Sequence, residues 1–383
     1  MISWRRVISW KSSVPPVLLA GLLAPALLAA GTTSSAAPPV LAAKKGELAA
    51  KRIPERILPA GQTRIFVADT AKNRVVSFND MSGTGWATLT SAQGVTPGFS
   101  GPTGVSVPPS GLIASVAGTF GTGVYVADKL NRRVVKSNDI TGAGGQVLGD
   151  GNPARVATTT LNVYARGGQL FVLTDPPPNQ NSGGSRLLIL NDTSGNGTVV
   201  TGAQIHGWSN PGPNGTDRGV GLLDGMAWDS HGKVYVSTSR SIVMLDALDP
   251  TALASSAGVV GTECCTNFAF TPTNRGRKIA IGPDGKIYVT DPSFVVQGQS
   301  ITGRIVRIDN IYGDGFVDLK TACGHAFSSP SDIAVTSDGI YVLDTKNNRL
   351  VRFTDMTGAN CVEFKGPTND LLSAPSGLSV TRL

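Results

Sequence analysis

From about residue 60 onward, short apolar runs recur along the chain, each closed by an acidic or hydroxyl residue and followed by a polar turn. The clearest copies are IFVADTAKNRVVSFNDMSGTG (65–85), VYVADKLNRRVVKSNDITGAG (124–144) and IYVLDTKNNRLVRFTDMTGAN (340–360). Looser copies lie at 170–197 and 287–315, and a sixth at 234–251 keeps its two apolar runs but loses the Gly turn. Runs this short, bounded by Asp, Asn and Gly, predict strands rather than helices. The strand-end positions are read as Asp69, Asp128, Asp175, Thr238, Asp291 and Asp344, spaced 59, 47, 63, 53 and 53 residues apart. Self-similarity at such a period marks a repeat architecture, in which loop insertions on one face absorb the drift.

A further apolar strand precedes most copies, as in GMAWDSHGKVYV (225–236), KIAIGPDGKIYV (278–289) and DIAVTSDGIYV (332–342). The Asp-Gly or His-Gly turn joins it to the next strand as a hairpin. Each unit then reads as four antiparallel strands, and six units predict an all-β, six-bladed propeller around a central channel. The two ends of the domain support a closed ring. The first copy opens at Ile65 on a second strand, while the last residues, APSGLSVTRL (374–383), resemble the inner strands GPTGVSV (101–107) and SPSDIAV (329–335). The C-terminal strand is therefore expected to complete the first blade, which removes an exposed sheet edge.

The pattern Asp-x-x-x-Asn-Arg-Val/Leu-Val, standing as DTAKNRVV (69–76), DTKNNRLV (344–351) and, shifted by one, DKLNRRVV (128–135), resembles the NHL repeat. The resemblance spans essentially residues 61–383. It implies a propeller fold, in a class that includes binding scaffolds and enzymes alike. WD40 and kelch patterns fit less well, because the Trp228-Asp229 pair does not recur.

Composition adds a compartment. Arg5, Arg6 and Lys11 precede an apolar run from Val14 to Ala30, followed by small residues, which reads as a secretory signal peptide over 1–30. The alternative is a membrane anchor, for which the run is slightly short and interrupted by prolines. Residues 31–60 read as a flexible linker or pro-segment, and 61–383 as the propeller. Localisation is thus expected to be periplasmic or secreted. The net charge of +7 misleads: residues 1–60 carry eight Lys/Arg and two Glu, so the propeller retains only +1. Nucleic-acid binding requires a clustered basic face, which no run in the propeller predicts, so it is not expected. The four cysteines, Cys264, Cys265, Cys323 and Cys361, suit an oxidising compartment and form no CxxC motif. Adjacent cysteines rarely bond to each other, which points one of the pair toward Cys323; the connectivity stays open.

Candidate chemistry is sparse. Three His occur (His206, His231, His325), with neither a metal-protease motif nor a GxSxG elbow, and only Glu263 and Glu363 remain after residue 60. The recurrent Asp and Asn-Arg are read as structural, with Asp capping its own turn. The series NDMSGTG (79–85), NDITGAG (138–144), NDTSGNG (191–197) and TDMTGAN (354–360) reads as hairpin turns with Gly in a left-handed conformation rather than calcium loops. Residues at the entry to the inner strands are expected to face the axis: Thr103, Thr160, Asp224, Arg277, Ser331, Asp332 and Ser376. Among them Asp224 and Asp332, with Asn267, are candidates to hold a Ca²⁺ that polarises an ester or lactone carbonyl. Six-bladed lactonases are similar in architecture, though their ligand set is not matched here. Insertions at 175–186 and 204–221, the latter bearing Trp208, are candidates for recognition. Two functions follow: a monomeric binding or scaffold module for a protein, peptide or glycan, with Thr103, Thr160, Arg277, Ser331 and Trp208 on its face, or a calcium-dependent hydrolase or lyase.

Overall fold

A computed structural model of the chain describes residues 63–108, 120–148, 160–175, 185–191, 197–201, 205–211, 217–219, 223–238, 241–246, 248, 259–264, 277–292, 294–296 and 299–382. Blade 1 starts with β1 (Thr63–Asp69), β2 (Arg74–Asn79) and β3 (Thr84–Leu89). Blade 2 holds β4 (Pro102–Ser106), β5 (Val124–Asp128), β6 (Arg133–Ser137) and β7 (Gln146–Leu148), and blade 3 holds β8 (Thr160–Arg166), β9 (Gln169–Thr174), β10 (Arg186–Leu190) and β11 (Gly197–Thr201). Strands β12 (Ile205–Pro211) and β13 (Asp217–Gly219) precede blade 4, which is β14 (Leu223–Trp228), β15 (Val234–Thr238), β16 (Ile242–Leu245) and β17 (Val259–Cys264). Blade 5 is β18 (Ile279–Ile281), β19 (Ile287–Asp291), an inserted hairpin of β20 (Phe294–Val296) and β21 (Gln299–Ile301), then β22 (Arg304–Ile308) and β23 (Val317–Leu319). A small hairpin, β24 (Thr321–Ala322) with β25 (His325–Ala326), leads into blade 6: β26 (Pro330–Thr336), β27 (Gly339–Asp344), β28 (Arg349–Phe353) and β29 (Val362–Phe364). Finally β30 (Pro375–Arg382) pairs antiparallel with β1, giving the order β3-β2-β1-β30 and closing the ring as expected.

The second strand of each blade is buried on both faces, and its period of two decides which neighbour each residue meets. In β1, Ile65 and Val67 pack with Tyr341, Leu343 and Leu350 of blade 6, while Phe66 and Ala68 pack with Val105, Val124 and Val126 of blade 2. The same alternation repeats around the ring, producing a separate apolar cluster between each pair of neighbouring blades. The core is therefore six wedges rather than one centre. Outer strands such as β3, in which only Leu89 is buried, meet solvent and carry more polar residues.

The turns between third and outer strands are tied by their acidic residue. Asp80 accepts from Ser82 N at 2.7 Å, Asp139 from Thr141 N at 2.8 Å, and Asp355 from Thr357 N at 2.8 Å. Gly144 (φ +61) closes one such turn, where an added Cβ would lie 2.3 Å from Asn138 Nδ2. These are the hairpin turns expected, with Asn360 (φ 51) standing in for Gly in blade 6.

Four expectations are corrected. Blade 3 ends its second strand at Thr174, not Asp175, because Thr174 is the residue paired with Arg186. The segment read as a loop insertion at 204–221 contributes β12, which runs parallel to β17 and widens blade 4 to a six-stranded sheet. Its Pro and Gly residues obscured the strand. Cys323 pairs with Cys361, 38 residues apart, tying the β24–β25 hairpin to the start of β29; Cys265 lies outside the described residues. The fourth concerns the repeat Asp. It does not cap its own turn: neither Asp69 nor Asp344 makes a side-chain cap.

Candidate functional site: the channel lining and the loop face

The repeat Asp serves instead as the hub of a buried ion pair. Asp69, Asp128 and Asp344 each receive the Nε of the Arg five residues on, at 2.7, 2.7 and 2.8 Å, and Asp291 receives Arg304 Nε at 3.0 Å. The other carboxylate oxygen accepts a backbone N–H from the loop that enters the same blade: Ser373 to Asp69 (2.6 Å), Ser100 to Asp128 (2.7 Å) and Ser328 to Asp344 (2.7 Å). The Asn that ends the turn reaches across blades, so that Asn73 accepts from Gly101 N and Asn348 from Ala374 N, both at 2.7 Å. Those Asn residues take left-handed angles (φ 52 and 51), which Asn tolerates better than most side chains. The repeated motif thus joins second strand, third strand and entry loop, and its chemistry is structural.

At the channel, inner strands present free edges that need partners. Among the described residues, at five of the six blade boundaries a side chain of one blade meets the backbone of the next. Leu378 N donates to Asp332 Oδ2 (2.8 Å), Val107 N to Ser379 Oγ (3.1 Å), Ala165 N to Ser106 Oγ (3.0 Å) and Met226 N to the Tyr164 hydroxyl (3.1 Å). Between blades 4 and 5 the polarity reverses: Lys278 Nζ donates to the Asp224 carbonyl oxygen at 2.7 Å. Gly377 and Gly104 let β30 and β4 approach so closely that a Cβ on Gly377 would lie 2.7 Å from Gly104 Cα.

Above this belt the inner strands β4, β8, β14, β26 and β30 each start with a bulge, and hydroxyls gather there. Thr70 Oγ1 donates to Pro102 O and Thr345 Oγ1 to Pro375 O, both at 2.7 Å; Ser331 Oγ lies 2.6 Å from Thr345 Oγ1. Of the residues expected on the axis, Thr103, Asp224, Ser331 and Ser376 occupy these bulges. Thr103 Oγ1 donates to Thr160 O at 3.3 Å. Thr160 is instead buried in its blade, its hydroxyl donating to Arg133 O at 3.3 Å. Arg277 is drawn to Asp291, at 3.3 Å, where it supplements the blade 5 ion pair. Asn267 lies outside the described residues, as does the side chain of Trp208, whose backbone belongs to β12.

Sequence reasoning missed Asn162, Tyr164 and Lys278. Lys278 directly follows Arg277, and its pairing opposite Thr290 gives it, not Arg277, the position that Asp332 and Asn162 hold opposite Leu343 and Leu173. Burial raises Tyr164 strongly, with the charges of Asp332 and Asp224 adding to it. Burial lowers Lys278, opposed by Asp332 and Asp224, while Lys129 adds to the lowering. Burial also pushes Asp332 up to about 6 against the pull of Lys278 and of the two N–H groups it accepts.

The described residues of this arrangement form no calcium cage. Both Asp332 oxygens already accept backbone N–H groups, Ile333 N at 2.9 Å and Leu378 N at 2.8 Å, and an ammonium stands beside Asp224. Among the described residues no cluster of three or more His, Cys, Asp or Glu is placed to hold a metal. Calcium favours six to eight oxygen ligands, so no step is drawn through it.

Asp332 carries a pH prediction. An acid whose pKa rises on folding favours the folded state while protonated, and this contribution is lost as pH climbs from 3.8 through about 6. Two pKa units correspond to roughly 3 kcal/mol. Asp332→Asn should therefore gain about 3 kcal/mol relative to the parent between pH 3.5 and pH 7, read from urea titrations at each pH. Parallel stability curves for the two proteins would disprove the assignment.

Fold and channel together define a six-bladed β-propeller whose inner strands are joined by neighbouring side chains. One stretch of it, residues 327–353, spanning β26 to β28, matches the NHL repeat model. A chain of the nidogen/laminin complex superposes with a TM-score of 0.53 at 10% identity, covering 83% of this chain and 98% of its own. A putative 6-phosphogluconolactonase from Bacteroides uniformis superposes with a TM-score of 0.47 at 12% identity, covering 84% and 99%. A streptogramin B lyase gives 0.40 at 16% identity, covering 72% of each chain. At these identities the likeness speaks for the fold alone. No curated protein matches the chain in sequence.

Proposed function

We propose that this protein is an exported binding module that takes a protein, peptide or glycan on the face formed by its second-to-third-strand loops and blade-entry loops. One observation carries the reading. The channel's polar side chains are committed to joining blades, whereas the loop face keeps exposed groups, among them Leu130 (67% exposed) and Leu371 (49%). Loops on a rigid scaffold are where recognition concentrates. Export is supported by the apolar run after Arg5 and Arg6 and by the Cys323–Cys361 disulfide, which suits an oxidising compartment. Among the described residues no helix is long and apolar enough to cross a membrane.

The test places a photo-crosslinking amino acid at Leu130, at Leu371 or, as a control, at Tyr312 (76% exposed), in the turn between β22 and β23 at the opposite end of the blades. Irradiation in the producing cells should give a discrete cross-linked species from the two loop-face positions and none from Tyr312. Absence of any species from Leu130 and Leu371 would overturn the reading.

A further inference from the structure

We infer that the loop face over blades 6, 1 and 2 recognises an acidic segment of a partner protein, one that carries apolar residues between its carboxylates. The inference rests on the binding reading above and names the chemistry of its partner.

The second-to-third-strand loop of each of these blades presents cations. Lys129 and Arg132 stand on blade 2, Lys72 on blade 1 and Lys346 on blade 6. Lys72 is held by Asp370 at 3.0 Å. Among the described residues Lys129, Arg132 and Lys346 have neither an acidic partner nor a side-chain hydrogen bond, and the last two are exposed. Lys129 is half-buried where blades 1 and 6 carry Thr70 and Thr345, and its charge reaches the channel at Lys278. A half-buried ammonium without a counter-charge is a position at which an added carboxylate gains more than at an open surface.

Among the described residues the acids of this face offer no offsetting charge. Asp69, Asp128 and Asp344 are buried with Arg74, Arg133 and Arg349. Asp370 is shared by Lys72 and Arg74, which hold it down to about 2, and Glu363 by Arg349 and Lys365. What remains uncompensated on these loops is positive.

The surface is continuous. Lys72 Nζ donates to Leu371 O at 2.7 Å; the next residue, Asn73, accepts from Gly101 N at 2.7 Å; Leu130 N donates to Ser100 O at 3.0 Å. Leu130 packs over Gly101, where an added Cβ would sit 2.9 Å from Leu130 Cγ. Asn348 binds Ala374 N and so links the blade 6 loop to the same arc. Two large hydrophobic side chains that are exposed, Leu130 and Leu371, thus lie among its cations. A phosphate polymer calls for dense cations and no apolar contact. Dispersed cations around two leucines favour a carboxylate-bearing peptide with apolar side chains, since charge sets register and the apolar groups supply area.

The test uses the full chain and a fluorescent peptide of about a dozen residues in which glutamates alternate with leucines, its Gln-for-Glu counterpart, and an inorganic polyphosphate of similar length. The glutamate peptide should bind, the glutamine one at least about tenfold more weakly, and affinity should fall at least about tenfold between about 50 and about 300 mM salt. Lys129→Glu with Arg132→Glu and Lys346→Glu should abolish binding, and Leu130→Ser should weaken it. Lys286→Glu, in the β18–β19 turn at the opposite end, should leave it unchanged. Equal binding of the two peptides, or an unaffected triple variant that melts like the parent, overturns the inference. Tighter binding of polyphosphate overturns it in favour of a polyanion. If the triple variant still gives the Leu130 cross-link, the binding reading stands while this inference fails; loss of cross-linking in the parent fails both.

Discussion

Deleting residues 375–383 leaves a protein without a cooperative thermal transition. This is the largest effect expected of any change to the chain. Strand β30 supplies seven backbone partners to β1, from Thr63–Arg382 to Asp69–Pro375, and buries Leu378 against Ile65 and Val67. Its loss does more than remove one strand. Leu378 N is the partner of Asp332 in blade 6, Ser379 accepts from Val107 of blade 2, and the Pro375 carbonyl accepts from Thr345 of blade 6. One short segment therefore bonds three blades, and a ring opened there exposes β1 as an unpaired edge, which invites aggregation. Circular dichroism during heating should show no sharp transition, and a synthetic peptide of residues 374–383 added in trans should restore one. A truncated protein that melts like the parent would refute the closure. Leu378→Ala, which keeps the ladder, should cost about 2–5 kcal/mol.

How far the fold was legible before any coordinates follows from the physics of the repeat. A second strand packed between two neighbours must be apolar at every position, so IFVAD, VYVAD and IYVLD announce themselves as short continuous runs. The split repeat at the two ends revealed the closure for the same reason, since APSGLSV carries the pattern of an inner strand. The channel was harder. In RGRKIAI it is Lys278, one residue after Arg277, that reaches the neighbouring blade, and neither residue type nor spacing distinguishes the two. Asp332 read as a free ligand, although its oxygens serve the edges of two strands. Partners that come from another blade leave no local trace; Tyr164 and Met226 are 62 residues apart. The Cys323–Cys361 pairing is of that kind as well, being set by where a two-strand hairpin folds back.

The recurrent ion pair offers a second large effect, and here the repeat supplies its own control. Asp344 is fully buried and holds three donors, Arg349 Nε at 2.8 Å, Asn347 Nδ2 at 2.7 Å and Ser328 N at 2.7 Å. Asp344→Ala strands all three in a buried site and, among the described residues, leaves the buried Arg349 with Glu363 as its counter-charge. Removing one partner of a buried pair costs about 3–5 kcal/mol. Blade 4 shows that the fold does not need the charges as such. Its equivalent positions are Thr238 and Ser241, both buried, and Ser241 N donates to Thr238 Oγ1 at 2.9 Å. A neutral pair therefore suffices where both members change together. Asp344→Thr combined with Arg349→Met should accordingly recover at least about 2 kcal/mol of the loss seen in Asp344→Ala, because no buried charge is left without its partner. Urea titrations of the three proteins decide the matter. If the double variant is no more stable than the single one, the pair is held by its charge and the neutral blade 4 is an exception that other contacts sustain. If it recovers as expected, the Asp–Arg of the repeat fixes the path of the entry loop, and the charge itself adds little to stability.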